Sequence, residues 1–136
     1  MTSTAKKSFQ PIPLDVERIG KTVLDSAFKV HTILGPGLLE SVYQVAMKHV
    51  LEKSGVQVET ELKLPIMFEG ARLESGLRLD MLVEKCVIVE LKSVETMNPV
   101  HEAQLMTYLR QSGTRLGFLI NFNVPHLKNG IKRMVV

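Results

Sequence analysis

The chain is predicted to fold as a single α/β domain with a mixed sheet flanked by helices. Three observations carry that expectation. Apolar residues recur at steps of three and four through the first third of the sequence. The period falls to two after Gly55, and a capped helix then separates two strongly apolar, strand-like runs. With 136 residues, 45% hydrophobic and 23% charged, the sequence has the size and balance of one globular core.

The elements follow in order. Met1 to Pro13 is polar and then punctuated by proline, which predicts a loose tail (1–13) ahead of a domain over 14–136. From Leu14, the positions Val16, Ile19, Val23, Ala27, Val30 and Leu34 form one stripe of an amphipathic helix that ends at Gly35-Pro36-Gly37. A second helix is expected from about Leu38 to Ser54, with Leu39, Val42, Tyr43, Ala46 and Val50 on its stripe and Gly55 as its stop. Val56 to Leu64, Ile66 to Phe68 and Leu77 to Val83 read as strands, with Glu69-Gly70 as a turn. Val87 to Lys92 is apolar enough to be central. Asn98-Pro99 caps and starts a helix that runs to about Gln111 and stops at Gly113. Leu116 to Val124 is a second buried strand, and the final HLKNGIKRMVV has room for a short one.

Several classes are disfavoured. No apolar run approaches the ~20 residues of a membrane span, and no apolar stretch follows Lys6 and Lys7 as a secretory signal requires. The lone Cys86 precludes an internal disulfide, and a cytoplasmic location is the default expectation. A net charge of +3 is compatible with a polyanionic partner but is far from a dedicated nucleic-acid arm. A homodimer stays open.

The chemistry concentrates in VIVELKSVE, where Glu90 and Lys92 interrupt an apolar strand. Burying an unpaired charge is costly, so such residues are matched, neutralised or used. Asp80 lies on the preceding strand, and register decides whether it meets Glu90. A two-residue turn at Glu84-Lys85 pairs Asp80 with Val89, whereas a three-residue loop over Glu84 to Cys86 pairs it with Glu90. Simple alternation puts Leu77, Leu79, Met81 and Val83 on one face and Arg78, Asp80 and Leu82 on the other. Paired carboxylates raise each other's pKa unless a cation sits between them, and a hard divalent ion such as Mg²⁺ suits oxygen ligands. Lys92 is placed to steady a water or to offset charge on a phosphoryl group. The competing reading is a Lys–carboxylate network at a solvated sheet edge.

On the next helix, His101, Gln104 and Tyr108 share a stripe. Gln104 and Tyr108 offer an amide and a phenol to a phosphate or a bound water, although a solvated face with Tyr108 half in the core would also place them there. His101 reads as a surface or capping residue. Glu40 suits the positive end of its helix dipole, Tyr43 reads as core, and His31 is expected to meet the final carbonyls of its own helix.

Gly37-Leu38-Leu39-Glu40-Ser41-Val42-Tyr43 matches the GxxExxY signature, and from Val16 through Met134 the sequence resembles the GxxExxY protein family, a branch of the PD-(D/E)xK nuclease-like superfamily. The resemblance implies a restriction-endonuclease-like core of helix, three strands, helix and strand. It implies Mg²⁺ or Mn²⁺ held by Asp80, Glu90 and the Leu91 carbonyl, with Glu40 near enough to join them. It gives Lys92 a role on the water and makes Gln104 and Tyr108 the Q-x-x-x-Y helix of the exonuclease-like branch. Leu79 departs from the proline of the superfamily's name. The implied activity is phosphodiester hydrolysis on DNA or RNA; the alternative is a catalytically silent nucleic-acid or protein-binding module on the same scaffold.

Overall fold

The computed structural model describes residues 10–136. Helices α1 (Leu14–Leu34) and α2 (Glu40–Lys53) precede three antiparallel strands, β1 (Val58–Phe68), β2 (Ala71–Val83) and β3 (Val87–Lys92). Helix α3 (Pro99–Ser112) then crosses over to β4 (Leu116–Asn121), parallel to β3, and a short 3₁₀ turn at Leu127–Gly130 leads to antiparallel β5 (Ile131–Val135). Spatial order equals chain order, β1-β2-β3-β4-β5. No helix among the described residues is long and apolar enough to cross a membrane.

Two cores cover the two faces of this sheet. Val23, Ala27, Tyr43, Met47 and Leu51 of α1 and α2 pack on Val87, Val89 and Leu91 of β3 and on Phe118 and Ile120 of β4. On the opposite face Leu105 and Leu109 of α3 pack on Ile88 and Leu119. Strands buried on both sides must be apolar at consecutive positions, which is why β3 and β4 read as continuous apolar runs. Helix α1 lies close on β4 because Gly20 has no side chain: a Cβ there would stand 3.0 Å from Leu116 Cδ2.

Four features differ from the sequence expectation, the first being α2, which buries Tyr43, Met47 and Leu51 and leaves Leu39 and Val42 of the expected stripe exposed. β1 runs unbroken through Pro65, with a register shift between Leu64 and Ile66 where proline's missing N–H is tolerated, and β2 begins at Ala71 rather than Leu77. Leu77, Leu79, Met81 and Val83 do not share a face. The first two join the α3-side core and the last two the α1–α2 core. The alternation breaks at Asp80, opposite Glu61, whose φ of 52° lies in the left-handed region. Pairs Leu62↔Leu79 and Thr60↔Met81 keep one register across the break, so both strands change face together. Finally, His31 does not turn to its own helix end. Its Nε2 lies 2.8 Å from the Val124 carbonyl across the domain.

Of the expected tail, residues 1–9 lie outside the described residues. Gln10 and Pro11 are held: their carbonyls accept from the Arg115 guanidinium at 2.6 and 3.2 Å.

Candidate active site

The connection from β2 to β3 sets the register. Glu84 and Lys85 both have positive φ (50° and 56°), and the Cys86 N–H donates to the Val83 carbonyl at 3.0 Å. This would be a two-residue turn, but Cys86 stays out of the ladder as an extra residue, and Val83 pairs with Val87. The left-handed Glu84 is secured by its neighbour strand: its N–H donates to the Gln57 carbonyl (2.9 Å) and its carboxylate accepts from the Gln57 N–H (2.6 Å). Pairs Val83↔Val87, Leu82↔Ile88 and Met81↔Val89 then put Asp80 opposite Glu90.

At that point the ladder gives way to side chains. The Asp80 N–H donates to Glu90 Oε2 at 3.0 Å, and the Leu91 N–H donates to Asp80 Oδ2 at 2.8 Å. Both carboxylates are buried, at 7% and 4% exposure, in the split between β2 and β3. Burial, and then the negative charge of Asp80, push Glu90 up to about 8, against the pull of the Asp80 amide and of Lys92. Lys92 is half-buried at the end of β3 and belongs to none of the ion pairs among the described residues.

Glu40 reaches this region from α2. Gly37 takes φ 94°, a conformation that disfavours side chains, to complete the α1–α2 connection. Tyr43, fully buried and stacked on Phe122 (4.4 Å between centroids, 6° between planes), donates to the Gly35 carbonyl at 2.6 Å and accepts from the Leu38 N–H at 3.1 Å. Ser93, just past β3, donates to the Leu38 carbonyl at 2.6 Å. These bonds tie the start of α2 to the end of β3. Glu40 is exposed, yet it lines a cleft of about 490 Å³ with Ser41, Gln44, Glu61, Arg78 and Asp80. Partial burial and the charge of Asp80 raise its pKa, opposed by Lys92 and Arg78.

From the other face of the sheet, α3 brings Tyr108. The phenol is raised by burial and then by Glu90, which places it within the field of the carboxylates. Gln104 is exposed one turn earlier. His101 caps the helix: the Asn98 N–H donates to its Nδ1 at 3.3 Å, and the Val100 N–H donates to Asn98 Oδ1 at 3.0 Å.

Three contributors escaped sequence reasoning, the ion pair Arg78 and Glu61 and, separately, Asn121. Arg78 is ion-paired with Glu61 on the cleft rim. Arg78 was legible as a neighbour of Asp80, but Glu61 carried no signal, because its position depends on cross-strand register. Asn121 is buried beneath the β3 exit. Its Oδ1 accepts from the Val94 N–H (3.1 Å) and its Nδ2 donates to the Val94 carbonyl (2.9 Å), which fixes the chain beyond Lys92. A polar residue closing the apolar run LGFLIN was the available clue.

The sequence model of the PD-(D/E)XK nuclease superfamily matches residues 17–134. The chain belongs to that superfamily. Neither a curated protein nor a solved structure matches it.

PD-(D/E)XK nucleases generally use divalent metals, and the donor chemistry here suits one. Asp80 and Glu90 each commit one oxygen to a backbone N–H and retain the other, and no cation is ion-paired with either among the described residues. Two buried like charges in that state favour a proton or a hard cation between them. Among the described residues no three His, Cys, Asp or Glu side chains converge closely enough to hold an ion, so Glu40 stands beside the pair at the cleft rim.

Proposed function

We propose that this PD-(D/E)XK superfamily member is a divalent-metal-dependent nuclease hydrolysing phosphodiester bonds of nucleic acid with Mg²⁺ or Mn²⁺. The observation that carries the reading is the pair of buried carboxylates, Asp80 and Glu90, joined through each other's strand amides beside Lys92. Asp80, Glu90 and the Leu91 carbonyl would hold the ion. Bound there, it supplies Lewis acidity toward a phosphate oxygen and acidifies water.

The chain's own residues do the rest. Lys92, whose charge acts on both Glu90 and Glu40, complements the negative charge that develops on the phosphoryl group. Tyr108 and Gln104 offer hydrogen bonds to the phosphate or to the attacking water from the α3 side. Glu40 and Gln44, one helical turn apart on α2, line the opposite wall. Arg78 supplies the rim cation that anchors a neighbouring phosphate, with Glu61 orienting it. The GLLESVY segment supports the GxxExxY branch, because Tyr43 and Gly37 hold Glu40 at the cleft. The unpaired, half-buried Cys86 fits a reducing, cytoplasmic setting.

The test is cleavage of linear and circular, single- and double-stranded DNA and RNA with Mg²⁺ or Mn²⁺. Wild type should cleave at least one substrate and Glu90→Gln none. Binding of nucleic acid without cleavage by wild type would transfer the protein to the catalytically silent reading.

A further inference from the structure

Helix α2 is apolar on two sides. Tyr43, Met47 and Leu51 form the buried stripe against the sheet. Glu40 and Gln44 flank that stripe toward the cleft. On the outer face, where a surface helix is normally polar, stand Val42, Val45 and His49. Val42, Val45 and His49 follow at steps of three and four, the spacing of a helix–helix seam, and Leu38 stands just before the helix. Val45 is 70% exposed, Leu34 of α1 lines the same groove and Ile33 stands beside His49 at its edge. A groove of about 600 Å³ lined by Leu34, Ser41, Val42, Val45, Ala46 and His49 shows that Leu34, Val42, Val45 and Ala46 are contiguous. Ser41, Lys48 and Glu52 run along one edge of this face and give the apolar centre a polar border there.

We infer that this face is the interface of a homodimer, with the α2 helices of two copies packed across a two-fold axis near Val42 and Val45. The area argues for a second copy. Ile33, Leu34, Val42 and Val45 together expose roughly 350 Å² of apolar surface, within the range of the largest patch an ordinary monomer leaves uncovered. Two such patches with their polar rims approach the ~1,200 Å² at which specific interfaces begin. A two-fold contact needs a self-complementary patch, and a single row of medium-sized aliphatic side chains meets that condition without a matching cavity elsewhere. The arrangement leaves the chemistry open, because Glu40 and Gln44 lie on the sheet-facing side of the helix. The assembly would carry two cleft sites, one on each copy. The inference stands on the surface alone and does not depend on the nuclease reading.

The experiment is sedimentation or light-scattering mass of the full chain from about 1 to 100 µM, the range in which a modest interface shifts with concentration. Wild type should give the dimer mass at the upper end, and Val45→Glu should give a monomer with unchanged circular dichroism. In a Cys86→Ser background, Val45→Cys should oxidise to a disulfide-linked dimer while folded. A wild-type monomer throughout would overturn the inference and leave the face to a different protein partner. A Val45→Glu chain that remains dimeric, or a Val45→Cys chain that fails to cross-link, would overturn the placement of the seam.

Discussion

Glu90→Gln separates the cost of the buried carboxylate pair from its use. Without metal, burial and Asp80 raise Glu90 from 4.5 to about 8, so the folded state binds a proton that the unfolded state has released over that interval. Stability contributed by the site is therefore fully present below about pH 4.5 and declines as the pH rises toward 8, because the folded protein must either keep the proton or bury two charges. A shift of that size corresponds to a ceiling of roughly 3 kcal/mol at pH 7, and coupling to Asp80 and screening bring the expectation to about 1–2. The glutamine carbonyl still accepts from the Asp80 N–H, and its amide can donate toward Asp80. In EDTA the variant should melt higher than wild type by about 3–8 °C at pH 7 to 8, with the gap closing near pH 5. Added Mn²⁺ should raise wild type alone, by mass action on the folded state. The assay is thermal unfolding across pH, with and without the ion. A variant less stable than wild type in EDTA at pH 8, or a gap independent of pH, would refute the reasoning.

Other outcomes follow from the same geometry. Lys92→Ala should retain the Mn²⁺-dependent thermal shift, since both carboxylates remain, yet lose on the order of a hundredfold in cleavage rate; cleavage at the wild-type rate would exclude its role. Arg78→Ala should weaken nucleic-acid binding and reduce the salt slope by about one, measured by fluorescence anisotropy over a salt series. Asn121→Ala strands the half-buried Val94 N–H and carbonyl and should cost about 1–2 kcal/mol in urea unfolding, with activity falling further as the chain beyond Lys92 loosens. Tyr43→Phe keeps the stacking on Phe122 but loses the bonds to Gly35 and Leu38, for a loss of about 1–2 kcal/mol by the same measurement.

The GxxExxY signature acquires a physical meaning in this fold. Its glycine permits the turn, its tyrosine is a buried clasp on that turn, and only its glutamate faces the cleft. Reading Tyr43 as core was correct, but burial was only half of its work. The hydroxyl fixes where α2 begins, and that decides where Glu40 points.

What the sequence determined by itself was whatever local patterning controls. The ends of α1 and α3 were legible because Gly35, Asn98, Pro99 and Gly113 act on their own backbone neighbourhood. β3 and β4 were legible because burial on both faces leaves long apolar runs, and Glu90 and Lys92 stood out within that of β3. Whether Asp80 and Glu90 would meet was not legible. It turns on one extra residue, Cys86, after two left-handed residues, Glu84 and Lys85, in a turn without glycine or asparagine. Local propensity disfavours that backbone for a glutamate and a lysine; Gln57, from the neighbouring strand, holds Glu84 in it with two hydrogen bonds. The face switch at Glu61 and Asp80 is of the same kind, since two strands must break alternation together to keep their ladder. The composition of the site was therefore written locally, while its assembly was decided by contacts between segments far apart in the chain, whose free energy no single stretch of sequence contains.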